Sequence, residues 1–507
     1  MSRFDGPSRR ALAVLVALSA CAGCKGKRVA PDAGDPAGGG DTGGAAGSTA
    51  AQGGADDTGG GATSGADGGV ATGGAATAGA AGAAASSRLC PTASAVPAPS
   101  AADDCRVTPR TIDPERNCGG GSPCPITRAF DLDCGFDWRT PRLSVSEDRT
   151  RLLLRGAYWI THLVGVTDTD ATVATIDRLS GAEDRISSTA SGPTWYFSGD
   201  SEGIVALSER GDAWYSSAVV LDPEETWVDL ADARMADEAR GYVLYRMGPG
   251  APHLVTWDGA CWTDESLGSD PAVDLSLGVD DRGLPWTALV TADAEGLEAV
   301  TLRDPGGVLE PVPAAPVGPY AGGSHVKVLP GGLDGADASL ALALRSAAGI
   351  EIQRRDPGIG WSAQVLPGSA PGEGTSDCPP WVDNVDPDPC AGQPTSCSTE
   401  LAGAGWPFDL ARTESRGTFA VWVSYASTAE STLGNVNIDS GEMPHFACLP
   451  IETSGSGTAE LVVARLGDAE PVVTRFPFEL GGGLLHLTQP VAAAARGDTL
   501  VIVAVLS

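Results

Sequence analysis

One unit recurs along residues 141–507. A turn built on Gly, Asp or Arg leads into an apolar run of three to five residues, and the early turns recur at steps of 38 to 53 residues. The runs are Leu152–Leu154, Ile204–Leu207, Tyr242–Tyr245, Thr287–Val290, Ala341–Leu344, Val421–Val423 and Val501–Val505. They are of strand length, and turn residues bound them. Several share a lead-in: Asp229-Leu230 precedes Arg240-Gly241, Asp274-Leu275 precedes Arg282-Gly283, and Asp409-Leu410 precedes Arg416-Gly417. Leu487 precedes Arg496-Gly497, and weaker equivalents are Arg149-Thr150, Glu202-Gly203 and Asp334-Gly335. The turns fall at 150, 203, 241, 283, 335, 417 and 497, and the two widest gaps hold insertions, 373–404 and 425–457. No stretch beyond residue 88 sustains a 3.6-residue apolar period, so the folded part is expected to be all-β.

A period in the forties with about four short strands per unit is the pattern of a propeller blade. Residues 141–507 are therefore predicted to form a β-propeller of six to eight blades. Tandem β-sandwich domains are the alternative for the same strands. Residues 273–290, in which a strand leads to Asp280-Asp281-Arg282-Gly283 and a second strand, resemble blades of extracellular bacterial propellers. No WD dipeptide motif, kelch pattern or Asp box assigns a subfamily. The chain ends on a strand, so a strand near 126–140 is expected to complete the last blade.

The opening residues read as an address. Arg3, Arg9 and Arg10 precede a ten-residue apolar stretch, 11–20, too short to span a bilayer. Leu18-Ser19-Ala20-Cys21 follows, and it resembles the lipobox of bacterial lipoproteins. The resemblance implies a signal peptide over 1–20, a lipidated (palmitate-bearing) N-terminus over 21–30 and acylation of Cys21. Ala22, in place of Asp after the Cys, implies the outer membrane, with the folded part facing the periplasm or the cell surface. Residues 31–87 contain 19 Gly, 18 Ala and no aromatic residue. Such a segment cannot offset its ordering entropy by burial, and it is expected to be a disordered low-complexity tether.

Ten cysteines remain after Cys21 and Cys24: Cys90, Cys105, Cys118, Cys124, Cys134, Cys261, Cys378, Cys390, Cys397 and Cys448. An even count in an exported chain predicts disulfides. Five crowd into the Cys-rich segment 88–140, which is expected to pack on the main domain, and three lie in 378–397. Each cluster is odd in number and needs a partner outside itself; Cys261 and Cys448 are available. Connectivity is not readable from spacing.

Charge narrows the partners. With 65 acidic against 33 basic side chains, a net charge of -32 excludes an ordinary nucleic-acid footprint. The expected partners are the membrane, through the lipid, and a protein or glycan. No catalytic constellation stands out, and the balance leans away from an enzyme. The five histidines (His162, His253, His325, His445, His486) form no metal or triad motif. Gly199-Asp200-Ser201-Glu202-Gly203 matches the G-x-S-x-G of serine hydrolases, but a strand-like run follows it, where a nucleophile elbow needs a helix. Candidate calcium ligands are Asp383, Asp386 and Asp388, with Asp168, Asp170 and Asp177 as a second group. Trp381 beside the first group marks the 373–404 insertion as a candidate binding loop. The expected function is that of an anchored binding or scaffold module. An extracellular polysaccharide hydrolase or lyase is the alternative.

Overall fold

The computed structural model describes the strand Leu12–Ser19 and, from Ser87 onward, the strands and most of the turns between them. Residues 1–11, 20–86, 110–125, 134–141, 314–325, 379–389 and 481–490, with several shorter loops, lie outside the described residues. Every helix or strand among the described residues is a β-strand, and the strands form seven antiparallel sheets.

In blade one, Arg142–Val145 is the inner strand, followed outward by Thr150–Arg155, Thr161–Val166 and Ala171–Ile176. The inner strands of the next six blades are Glu183–Ser188, Val228–Met235, Ala272–Val279, Val326–Pro330, Asp409–Thr413 and Val491–Arg496. Each inner strand touches the next, and the seventh touches the first. The ring is closed: the fold is a seven-bladed β-propeller.

Packing explains why the strands read as unbroken apolar runs. A strand with both faces buried loses the alternation of a half-exposed one. Leu340, Leu342 and Leu344 pack into the seam between blades four and five, whereas Ala341 and Ala343 pack into the seam between blades five and six. Leu152 and Leu154 likewise face blade seven, and Leu153 faces blade two. One apolar cluster fills each of the seven seams. The seam between blades two and three takes the largest side chains, Trp195, Phe197, Tyr245 and Trp262, with Phe197 edge-on to Trp262 at 6.2 Å.

Most of the predicted turns join an inner strand to its second strand. Glu202-Gly203 instead joins the second and third strands of blade two. The reason is local: Asp200 Oδ1 accepts the Glu202 N–H at 2.7 Å, an Asp-Gly turn of the same chemistry as its inner neighbours. The second strand of blade two starts at Thr194, which evens the first two repeats to 44 and 47 residues. The G-x-S-x-G stretch is thus a hairpin turn between strands Thr194–Asp200 and Gly203–Arg210.

Blade seven joins the chain ends. Val491–Arg496 and Thr499–Leu506 are its inner strands, Leu12–Ser19 pairs on the second, and Ile126–Asp133 and Arg106–Pro109 lie outside it. The segment after Ser87 then runs round the rim as a belt. Ser87–Leu89 adds to the outer strand of blade three, Ser94–Val96 to that of blade two and Ser100–Ala101 to that of blade one. Arg106–Pro109 continues the belt onto blade seven. Cys90 is bonded to Cys261 beside the outer strand of blade three.

Blade six carries an arm. Its inner strand pairs with only the first residues of the second strand, Gly417–Val421. That second strand continues to Asp439 and returns as Pro444–Arg465. Ser396–Ala404 pairs along Ser424–Thr432, and Glu373–Ser376 pairs outside it. The two insertions therefore form one structure. Beyond the end of the outer strand at Leu480, residues 427–439 and 444–456 extend as a ribbon of about 40 Å.

Candidate functional site

The inner strands place charged side chains around the axis, mostly toward the end at which each strand begins. Blade two supplies Asp184 and Arg185; blade three, Asp229, Asp232 and Arg234; blade four, Asp274; blade five, Lys327; and blade six, Asp409. The Asp-Leu lead-ins of the sequence are these strand beginnings. Lys327 is the only lysine beyond residue 27.

Much of this charge is committed to joining blades. Asp274 Oδ2 accepts the Val326 N–H at 2.8 Å, and Asp409 Oδ2 accepts the Ala493 N–H at 2.9 Å. Lys327 Nζ lies 3.6 Å from Asp409 Oδ1. Arg246 donates to Asp229 Oδ2 at 2.7 Å and also to the Ala272 carbonyl. Arg185 donates to the Ala231 carbonyl at 2.7 Å. Uncharged side chains repeat the device: Ser187 takes the Met235 N–H, and Ser276 takes the Val328 N–H.

The electrostatics divide two neighbouring carboxyls. Burial works to raise that of Asp232, but Arg234, Lys327 and Arg185 together hold it below the usual range. Asp232 in turn raises the Arg234 guanidinium against the effect of burial, with help from Asp409 across the axis. Asp274 goes the other way. Burial raises it to about 7, opposed by the Val326 and Leu275 N–H groups and by Lys327 and Arg246. One axial carboxyl is thus raised and the other lowered. No aromatic side chain stands on any of the seven inner strands.

The arm rises from this same end, because its second strand runs on past Asp409. At its foot Tyr425 is buried, and burial raises its phenol while Arg345 of blade five lowers it. Burial also raises Glu298 of blade four, again against Arg345. The Tyr425 hydroxyl and Glu298 Oε2 are buried without a hydrogen-bond partner among the described residues. Two disulfides hold the arm: Cys378–Cys397, and Cys390–Cys448, which ties the loop to the ribbon. Asp377, Cys378 and Cys397 come together, but the two sulfurs are bonded to each other and offer no thiolate to a metal.

Among the other sequence candidates, His253 Nδ1 lies 3.2 Å from Asp264 Oδ1 under the Tyr245 ring, and His162 is buried in blade one. Cys21, Cys105, Cys118, Cys124, Cys134, Trp381, Asp168, Asp170, Asp177, Asp383, Asp386 and Asp388 lie outside the described residues. In the sequence the Asp-Leu pairs stand out only as phase markers of the repeat, and the isolated Lys327 is the signal that points to the axial charges.

No family model matches the chain, and no curated protein matches it in sequence. Among solved structures it is similar to Aleuria aurantia lectin at 11% identity and TM-score 0.33, over 62% of this chain and 97% of the lectin. It is similar to the WD40 domain of Toxoplasma gondii coronin at 10% identity and TM-score 0.30, over 82% of this chain and 88% of that one. A third is fructan 1-exohydrolase IIa from Cichorium intybus, at 9% identity and TM-score 0.29, over 72% and 93%. The β-propeller assignment rests on the seven sheets and the closed ring of their inner strands.

Proposed function

We propose that the protein is a lipid-anchored binding module of the cell envelope, held through Cys21 and reaching its partner with the arm of blade six and the adjacent axial mouth. The observation that carries this reading is the union of the two insertions into one disulfide-held ribbon on the axial-mouth side. Loops fixed on a rigid scaffold are where binding concentrates. The axial carboxylates favour the same reading, since many of them already serve neighbouring blades. The partner is an envelope protein or glycan. The test compares the parent with a chain in which 430–453 is replaced by Asn-Gly, in co-sedimentation with isolated envelope polysaccharide and in crosslinking to envelope proteins. Loss of both signals with the propeller still folded supports the arm; undiminished binding removes it.

A second reading, a polysaccharide hydrolase or lyase, draws on Asp274. A carboxyl that keeps its proton near neutral pH suits a general acid. Release of new reducing ends or unsaturated sugars from a polysaccharide panel, abolished by Asp274→Asn, would establish it.

The leader reading has a structural corollary. Cleavage before Cys21 removes Leu12–Ser19 from blade seven. Val491–Arg496, Thr499–Leu506, Ile126–Asp133 and Arg106–Pro109 remain, a set of four strands like those of blades four and five. In the processed protein Ile126–Asp133 then takes the third position.

A further inference from the structure

Among the described residues the belt covers the rim of blades three, two, one and seven. Of the six large apolar side chains exposed among the described residues, five lie on or beside the outer strands of the other three blades: Val308, Leu309, Ile359, Val365 and Val472. An outer strand with free N–H and C=O groups is a template for pairing, and proteins usually blunt it with charge, proline or brevity. Blade four is blunted, since its outer strand is three residues long and ends at Pro311. Blade six has Pro477 in its outer strand and an Arg475–Glu460 ion pair. Blade five has neither device. Among the described residues its outer strand, Gly360–Val365, pairs on one side only, with Gly349–Asp356. It lies in an uncharged stretch from 357 to 372, in a chain of net charge -32.

We propose that this strand pairs antiparallel with the same strand of a second copy of the chain. The sequence is self-complementary about Ser362. A two-fold axis there sets Ile359 of one copy against Val365 of the other, Gly360 against Gln364 and Trp361 against Ala363. Ile359, in the turn just before the strand, is 85% exposed, and Val365, its last residue, is 42% exposed, so each end offers the apolar cover that the opposite end lacks. The uncharged window lets two strongly acidic chains meet without opposing carboxylates. Asp356, opposite Gly360, is paired with Arg354 at 2.7 Å, and Glu310 of blade four is paired with Arg355 at 2.7 Å and accepts the Trp361 indole N–H at 3.0 Å. A two-fold perpendicular to the sheet leaves the blade-four edges of both copies on one side of the seam, where Val308 and Leu309 add apolar surface. The belt shows that the rim of this propeller accepts added strands in antiparallel register.

The test uses the full chain in isolated membranes, oxidised and run without reductant. Ser362→Cys places a thiol at the two-fold and is expected to give a linked dimer. Asp212→Cys, on an exposed turn of blade two, measures random collision and is expected to give little. Adding Ile359→Lys with Val365→Lys opposes like charges at both ends, and the dimer should be lost. Adding Ile359→Lys with Val365→Glu instead pairs opposite charges between copies, and the dimer should return. Equal linking at 362 and 212, no linking at 362, or persistence of the dimer with two lysines would overturn the proposal. So would failure of the lysine–glutamate pair to restore it when circular dichroism shows that chain to be folded.

Discussion

Asp274 Oδ2 and the backbone N–H of Val326 meet at 2.8 Å, joining the inner strand of blade four to that of blade five through a carboxyl raised to about 7 by burial. Its folded value lies above its unfolded one, so the folded state binds the extra proton. Stability from this group is fullest below the unfolded value, near 4, and falls as pH rises toward about 7. Asp274→Asn keeps an acceptor for Val326 and removes the charge. It should stabilise the propeller at pH 8, and the gain should shrink toward pH 5, as read by urea unfolding at both values.

Glu209 is buried at the seam of blades one and two. It accepts from Tyr196 at 2.8 Å, Arg151 at 2.7 Å and Arg149 at 3.1 Å. Removing its charge leaves Arg151 buried without its counter-ion. Glu209→Gln should cost about 3 kcal/mol in chemical denaturation, the usual penalty for breaking a buried pair.

The ribbon contributes nothing described to the apolar seams, since the cluster between blades six and seven ends at Tyr425 and Ala459. Replacing 430–453 by Asn-Gly should therefore leave the thermal midpoint of the propeller in place. Replacing Cys390 and Cys448 by Ser should speed proteolytic cutting within the arm without changing that midpoint, as followed by mass spectrometry of the fragments.

The proposed cleavage before Cys21 predicts that membrane-extracted protein begins at an acylated Cys21. Intact-mass measurement should show the diacylglycerol and acyl increments, and Cys21→Ala should abolish them. Hydrogen exchange on the mature chain should then show Ile126–Asp133 protected as a central strand.

The sequence made the strands and their phase legible because each blade repeats the same local demand: a tight turn, then a strand buried on both faces. Leu152–Leu154 and Ala341–Leu344 are visible as runs for that reason. Its one slip of phase, at Gly203, came from a second hairpin with the same Asp-Gly chemistry. The belt was not legible, because strands of two to four residues such as Ser94–Val96 carry no periodicity and owe their form to the edges they meet. The axial site was hidden differently. Asp232, Arg234 and Asp409 are spread over 178 positions of sequence, and only ring closure brings them together.

The belt also sets a path for mechanical load. Tension arriving from the residues before Ser87 would peel Ser87–Leu89, Ser94–Val96 and Ser100–Ala101 from the rim one after another if only hydrogen bonds resisted. Cys90–Cys261 stands one residue past the first of these strands, so the pull passes into the body of blade three through a covalent link. Only the first short strand is exposed to peeling. Reduction of this one bond would turn the rim into a zipper that opens from its loaded end.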